Sequence, residues 1–183
     1  MIRSAIAVVA AALCLSACGG GDERPSAPPP PTLPAAAVPY LESKERTLTA
    51  AVVAREAALP RLAGQLAEWG YDGGASRYFQ GQSKRLQVVD SRAYRFRTTT
   101  GAAAFMRVIR ENPGAFFPGA GRPRAFASGG RRGLAVDGLP CSCHLAQPAL
   151  FAAVSDGTTV SSLEINGAGA SRRVLRALVA RTP

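Results

Sequence analysis

The pattern of hydrophobic and polar residues is clearest near the end of the chain. Two runs rich in β-branched and aromatic residues, 150–155 and 158–165, flank the pair Asp156-Gly157, which is typical of a type I′ turn. This arrangement predicts a β-hairpin. A final helix is predicted over 170–180, because apolar residues recur there every three or four positions.

Helical patterns also mark the region that follows residue 40. Helix-forming residues predominate over 41–58, and this segment is predicted to form one helix. A second, shorter helix is predicted where Leu62, Leu66 and Trp69 recur at i, i+4 and i+7, with Gly70 placed to end it. Both helices are expected to pack their apolar faces into a core.

Between these helical regions and the hairpin, apolar and polar residues alternate as they do in strands. Tyr94 and Phe96 do not share the phase of Val89, so a β-bulge is predicted near residues 90–91. A helix is predicted to start at the threonines 98–100 and to end before Pro113, because these threonines can accept hydrogen bonds from its first free N–H groups.

The order of these elements predicts an α+β fold with a mainly antiparallel sheet and helices packed on one of its faces. Short additional strands are predicted over 124–128 and 134–136. Residues 94–105 and 163–174 share the order strand, link and helix start, although their identity is low. A strand-strand-helix pseudo-repeat is therefore a further expectation.

Composition and charge limit the kinds of partner that the chain is expected to bind. The chain has 22 Lys and Arg against 12 Asp and Glu, a formal net charge of +10, and 47% of its residues are hydrophobic. This composition predicts a packed core. The positive charge favours an anionic component of the cell envelope or a protein partner. Nucleic acid is excluded as a partner by the export signal described next.

The first residues have the form of an export signal. Arg3 precedes an apolar run over 5–15, which is too short to span a bilayer as a helix. The run ends in Leu-Ser-Ala-Cys, with the cysteine at position 18. This segment resembles the lipobox of bacterial lipoproteins, in particular small lipoproteins of high-GC bacteria. The resemblance implies cleavage before Cys18, a diacylglycerol on its sulfur, and a membrane anchor.

The lipobox divides the chain into three parts. Residues 1–17 are the expected signal peptide, 18–37 a tether rich in glycine and proline, and 38–183 a single globular α+β domain. The mature protein is expected on the outer face of the cell membrane. In a cell with two membranes it is expected on the outer membrane.

Two cysteines remain once Cys14 is removed with the signal and Cys18 is acylated. Cys141 and Cys143 lie beside His144, the one histidine of the chain. A local disulfide between the two cysteines is the favoured interpretation, and it would be strained across one residue. A redox-active pair, a metal site that includes His144, and free or intermolecular thiols are the alternatives. The metal site would need a fourth ligand that no second cysteine or histidine can supply.

Each of three other features has both a structural and a functional interpretation. Phe116-Phe117 is either part of the core or an exposed contact patch. Arg95 and Arg97 share a strand face that is either solvated or binds an acidic ligand. The glycines in 167–169 are interpreted as a turn, because a dinucleotide fingerprint would need a third glycine.

The sequence favours a non-enzymatic envelope lipoprotein that binds a ligand or a partner. No catalytic residue and no cofactor is assigned. The alternative function is a thiol-dependent or metal-dependent activity centred on Cys141, Cys143 and His144.

Overall fold

A computed structural model of the protein describes residues 28–138 and 147–183. Within these residues, runs of strands are interspersed with helices along the chain. The strands are β1 (Glu42–Leu48), β2 (Tyr71–Gln80), β3 (Val88–Phe96), β4 (Arg124–Ser128), β5 (Arg131–Asp137), β6 (Ala149–Asp156) and β7 (Thr159–Asn166). The helices are α1 (Ala50–Glu56), α2 (Leu62–Glu68), α3 (Thr99–Glu111), α4 (Pro113–Phe116) and α5 (Arg172–Val179). A 3₁₀ turn covers Ala35–Ala37.

The strands form one antiparallel sheet in the order β1-β2-β3-β7-β6-β5-β4. β3 and β7 meet at its centre and join the two halves of the chain. The predicted α+β class with a mainly antiparallel sheet is confirmed. Among the described residues, no helix has the length and apolar character needed to cross a membrane.

The helices lie on both faces of the sheet, and not on one face as predicted. Phe151 on β6 belongs to the same buried cluster as Phe105 of α3. The neighbouring residues Leu150 and Val154 belong to a second cluster with Leu175 of α5. Because consecutive side chains of a strand point to opposite faces, β6 is apolar on both sides and needs cover on both.

The strand-strand-helix order is present in both halves, as β2-β3-α3 and β6-β7-α5. A twofold axis between the antiparallel strands β3 and β7 would place both helices on the same face. Since α3 and α5 belong to clusters on opposite faces, the halves share an order of elements but not a symmetric arrangement.

The helix predicted over 41–58 is wrong in its first half. Residues Glu42–Leu48 form the edge strand β1, which pairs along its length with β2. Helix α1 starts only after Thr49, whose Oγ1 accepts a hydrogen bond from the N–H of Val52 at 3.3 Å. The charged residues of β1 are good helix formers, but they also suit an exposed sheet edge, where pairing with β2 outweighs helix propensity.

The bulge predicted near residues 90–91 is not formed. β3 keeps one register with β7 from Val88 to Arg95, and the irregularity lies in β2 between Tyr71 and Gly73. Val89 and Tyr94 differ in phase because they are buried on opposite faces of the sheet. A strand that is covered on both faces carries apolar residues in both phases, and this pattern was interpreted as a bulge.

The predicted hairpin is formed by β6 and β7, with a loop one residue later than expected. Asp156 pairs with Thr159, so the two loop residues are Gly157 and Thr158. Gly157 has a φ of +57°, whereas Thr158 is not among the residues with positive φ. This combination fits a type II′ turn, in which glycine takes the first central position, rather than a type I′ turn.

Residues from Pro30 onward are already packed against the domain. Leu33 is fully buried in the cluster beneath α5, and its N–H donates a hydrogen bond to Ser91 Oγ on β3 at 2.9 Å. Val38 is buried in the same cluster. The predicted tether over 18–37 thus overlaps a segment that belongs to the folded body.

Candidate ligand-binding cleft

The face of the sheet that carries α3 has a polar region toward the β2–β3 loop. Strand register aligns Lys44, Tyr78, Asp90 and Glu164 across β1, β2, β3 and β7. Asp90 lies four positions before Tyr94 on β3, so its side chain is on the same face of the sheet. The four aligned side chains therefore share a face with the apolar core that contains Tyr94. The region therefore presents charged and aromatic groups where the rest of this face is covered by helices.

Tyr40 and Tyr78 line a cleft of about 550 Å³ in this region. They are 43% and 38% exposed, and they are the exposed large hydrophobic residues among those the structure describes. The volume lies within the usual range of small-molecule sites, roughly 300–1,000 Å³. The polar lining residues are Glu42, Lys44, Gln80 and Gln82.

The cleft continues beyond Lys44 and Tyr78 into a second concavity of about 380 Å³, which those two residues also line. Its inner wall consists of Arg46, Ser76, Asp90 and Arg92. We refer to the two concavities together as the sheet cleft. Its floor is formed by β1, β2 and β3, so its shape is fixed by backbone pairing.

The loop after β2 closes one end of the sheet cleft at Gly81. The N–H of Gly81 donates to the carbonyl of Gln87 at 3.0 Å. A Cβ atom at Gly81 would lie 3.0 Å from Leu41 Cδ2, which is tighter than an ordinary contact. A glycine therefore allows this loop to lie against the start of β1 beside Tyr40.

A network of ion pairs fixes the inner wall of the sheet cleft. Arg92 donates to Asp90 Oδ2 through Nε at 2.9 Å and Nη2 at 2.7 Å, and to Glu56 Oε2 through Nη1 at 2.9 Å. Glu56 also accepts two hydrogen bonds from Arg46, whose Nε donates to Ser76 Oγ at 3.0 Å. The two arginines are thus balanced by two carboxylates.

Asp90 and Glu164 form an acidic pair at the end of this network. They are directly opposite on β3 and β7, where Cβ atoms lie roughly 4.5–5.5 Å apart. Asp90 is 9% exposed, and the described residues give its buried Oδ1 no hydrogen-bond donor. Burial raises the pKa of Glu164 to about 7, repulsion from Asp90 adds to the rise, and Arg92 opposes it.

The acidic pair is therefore suited to hold one proton between its carboxyl groups. A neutral Glu164 can donate a hydrogen bond to Asp90 Oδ1, which otherwise lacks one. The cavity against the pair measures about 10 Å³, which is too small for an organic ligand. Asp90 is also enclosed, because Oδ1 is buried and Oδ2 is bound by Arg92.

The other features named from the sequence lie elsewhere. Phe117 stacks on Phe151 with ring centroids 5.8 Å apart and is buried, so the core interpretation of Phe116-Phe117 is confirmed. Arg95 is partly buried and its Nε donates to Asp72 at 3.0 Å, whereas Arg97 is exposed. Neither arginine lines the sheet cleft.

The turn predicted over 167–169 is present. Gly167 has a φ of +139°, and the N–H of Gly169 donates to the carbonyl of Arg85 at 2.7 Å. A Cβ atom at Gly167 would lie 2.7 Å from that same carbonyl oxygen. Because these glycines have no side chains, the backbone of 167–169 can lie close to the β2–β3 loop.

The sequence-predicted site residues Cys18, Cys141, Cys143 and His144 lie outside the described residues. Within the described ranges, no group of three or more His, Cys, Asp or Glu side chains is arranged to hold a metal ion. Sequence reasoning missed Tyr40, Tyr78 and the acidic pair. A glutamate within the β-prone run over 158–165 was the sequence signal available for the acidic pair, whereas the exposure of the two tyrosines is visible only in the structure.

No protein-family model matches the chain, and no curated protein sequence matches it. Among solved structures, the chain is similar to the crystal structure of the extracellular domain of PknH from Mycobacterium tuberculosis. The two are 10% identical with a TM-score of 0.42, over 80% of this chain and 86% of that chain. Neither value is high enough to transfer a ligand or an activity.

Proposed function

We propose that the protein is an exported lipoprotein, anchored through Cys18, that binds a neutral polyhydroxylated ligand such as a glycan in the sheet cleft. The observation that carries the binding proposal is the position of Tyr40 and Tyr78, which both line one cleft while remaining exposed. A tyrosine ring offers an apolar face on which the C–H side of a sugar can stack, and its hydroxyl offers a hydrogen bond.

The polar lining supports a ligand that is rich in hydroxyl groups. Gln80 and Gln82 each provide an amide that can both donate and accept. Within the described part of the chain, Glu42, Lys44 and these two glutamines make no side-chain hydrogen bond, so their polar groups are free to bind a ligand.

The charges of the sheet cleft support a neutral ligand. Glu42 and Lys44 have opposite charges, and Arg46 and Arg92 are balanced by the carboxylates of the ion-pair network. The cleft therefore lacks the large positive excess of the chain as a whole, whose formal net charge is +10. An anionic ligand would find no unpaired arginine here.

A binding role is favoured over catalysis at the acidic pair because Asp90 Oδ1 is buried and Asp90 Oδ2 is already bound by Arg92. The alternative activity centred on Cys141, Cys143 and His144 stays a separate prediction. Intact-mass measurement before and after mild reduction, with metal analysis of the same sample, tests it.

The binding proposal is tested by isothermal titration of the Cys18→Ser chain with neutral tetrasaccharides of glucose, mannose and N-acetylglucosamine. At least one is expected to bind, and Tyr78→Ala is expected to weaken its binding about tenfold or more. Tyr78→Phe is the matched control, since it keeps the ring and should retain most of the affinity. Absence of binding by all three sugars, or equal affinity for Tyr78→Ala, would overturn the proposal.

The anchoring proposal is tested separately by mass spectrometry of the membrane fraction. The mature chain is expected to begin at Cys18 and to carry a diacylglycerol. The Cys18→Ser chain should lack this modification. A mature chain that retains residues 1–17, or that lacks lipid, would overturn anchoring without affecting the test of the cleft.

A further inference from the structure

A second surface lies on the same face of the sheet as α3 but away from the sheet cleft. Arg107 and Arg110 of α3 and Arg132 of β5 line a groove of about 420 Å³. Met106 and Ser155 complete its principal lining. The groove thus combines three guanidinium groups with a hydroxyl and an apolar side chain, and we call it the arginine groove.

The arginines of this groove differ from the five arginines that form ion pairs within the described part of the chain. Five arginines form ion pairs with carboxylates, namely Arg46, Arg77, Arg92, Arg95 and Arg172. In contrast, Arg107, Arg110 and Arg132 form neither an ion pair nor a side-chain hydrogen bond with the residues that the structure describes. Their donors are available to a partner outside the domain.

Acidic residues near the arginine groove do not cancel its charge. Glu111 ends α3, and Asp156 follows Ser155 at the end of β6. Both are exposed, and neither makes an ion pair with the described residues. Three positive groups converge on the groove, whereas these two carboxylates lie at its margin and do not line it.

The arginine groove lies at the end of the sheet where the described part of the chain begins. Arg95 pairs with Thr159 at the β6–β7 turn, and Ser155 of that hairpin pairs with Arg132. The carbonyl of Pro28 accepts a hydrogen bond from Arg95 Nη1 at 2.6 Å. Pro28, the first described residue, is therefore at the same end of the sheet as the groove.

The distance from the proposed anchor to this end is short. Pro28 lies ten positions after Cys18. Even when fully extended, ten residues span at most about 35 Å. The end of the domain that carries the arginine groove would therefore be held close to the membrane surface. The opposite end, with Tyr40 and the loop at Gly81, would face away from it.

We infer that Arg107, Arg110 and Arg132 bind the phosphate groups of anionic phospholipid headgroups and thereby orient the domain on the membrane. The orientation rests on the proposed lipid anchor, whereas the binding of phosphate by the groove does not. A planar guanidinium donates paired hydrogen bonds to phosphate oxygens, which makes arginine the preferred residue for such contacts.

The inference is tested by co-sedimentation of the full Cys18→Ser chain with vesicles of phosphatidylcholine alone or with 30 mol% phosphatidylglycerol. Binding is expected only to the vesicles that contain phosphatidylglycerol. Replacing Arg107, Arg110 and Arg132 together by glutamine is expected to weaken it about 100-fold, since each cation near an anionic surface contributes roughly fivefold.

The matched control removes the same charge at the opposite end of the sheet. Lys84, Arg85 and Arg173 are exposed and lie outside both the sheet cleft and the arginine groove. Their replacement by glutamine should leave vesicle binding within about threefold of the parent chain, because long-range charge effects are screened beyond roughly 10 Å. Equal losses in the two triple variants would show a net-charge effect and overturn the inference.

Two further outcomes decide the identity of the partner. Vesicle binding that is unchanged in the groove variant would also overturn the inference. Binding of soluble polyglutamate that depends on the three arginines, without binding to vesicles, would assign the groove to an acidic polymer instead of lipid. The single variants Arg107→Gln, Arg110→Gln and Arg132→Gln, each expected to lose about fivefold, keep the test valid if the triple variant does not fold.

Discussion

The parent protein is expected to lose stability as the pH rises from 5 to 8. Replacing Glu164 by glutamine is expected to abolish this loss. In the folded protein the pKa of Glu164 is raised from 4.5 to about 7. The folded state therefore holds a proton that the unfolded state has released between these two values. Because the folded state binds more protons there, the free energy of unfolding falls as the pH increases.

The magnitude follows from the two pKa values. The difference between 4.5 and about 7 corresponds to about 3 kcal/mol, since each pKa unit is worth 1.36 kcal/mol. Glutamine does not ionise, and its amide can donate to Asp90 Oδ1 as the neutral carboxyl group does. Glu164→Gln should therefore match the parent near pH 4 and exceed its stability by up to about 3 kcal/mol at pH 8.

Urea unfolding followed by the fluorescence of Trp69 measures this difference at pH 4, 5, 6, 7 and 8. Glu68→Gln is the matched control, because Glu68 is exposed at the end of α2 and outside the acidic pair. Its pH profile should coincide with that of the parent. Parallel profiles for the parent and Glu164→Gln would refute the reasoning, as would a parent stability that rises from pH 5 to pH 8.

Two further predictions concern packing and charge. Arg92→Leu is expected to destabilise the protein by about 3–5 kcal/mol in urea unfolding, because it leaves Asp90 buried without its partner, and adding Asp90→Asn should recover part of the loss. Gly101→Ala is expected to cost roughly 3 kcal/mol, since its Cβ would lie 2.0 Å from the carbonyl oxygen of Trp69. Gly64→Ala, with nothing within 4 Å of its Cβ, should instead stabilise helix α2 by about 0.5–1 kcal/mol, and equal thermal shifts for the two glycine variants would contradict this account.

Local sequence patterns were sufficient for elements whose residues are adjacent in the chain. The hairpin of β6 and β7 and the helices α3 and α5 were predicted, and the caps at Thr98 and Ser171 are formed. β1 was mistaken for helix because a sheet edge is defined by its distant partner, β2, and not by its own residues. The two-sided cover of the sheet was missed because periodicity does not specify which helix packs on which face.

The candidate sites depend still more on distant contacts. Asp90 and Glu164 are 74 positions apart in the sequence, and only the register of β3 with β7 places them side by side. Tyr40 and Tyr78 line one cleft because β1 pairs with β2, and β1 lies in a segment predicted to be helical. The arginine content was visible in the composition, but which arginines line one groove depends on the position of α3 over the sheet.

The burial of Leu33 determines how the domain would respond to mechanical force. With a lipid on Cys18, tension in the tether would reach the body at the segment around Leu33, whose N–H is bonded to Ser91 on β3. β3 has strands on both sides, so the load enters the interior of the sheet and not its edge. Pulling the tether away would require the extraction of a fully buried leucine, whereas the edge strand β1 beside the sheet cleft would carry little of the force.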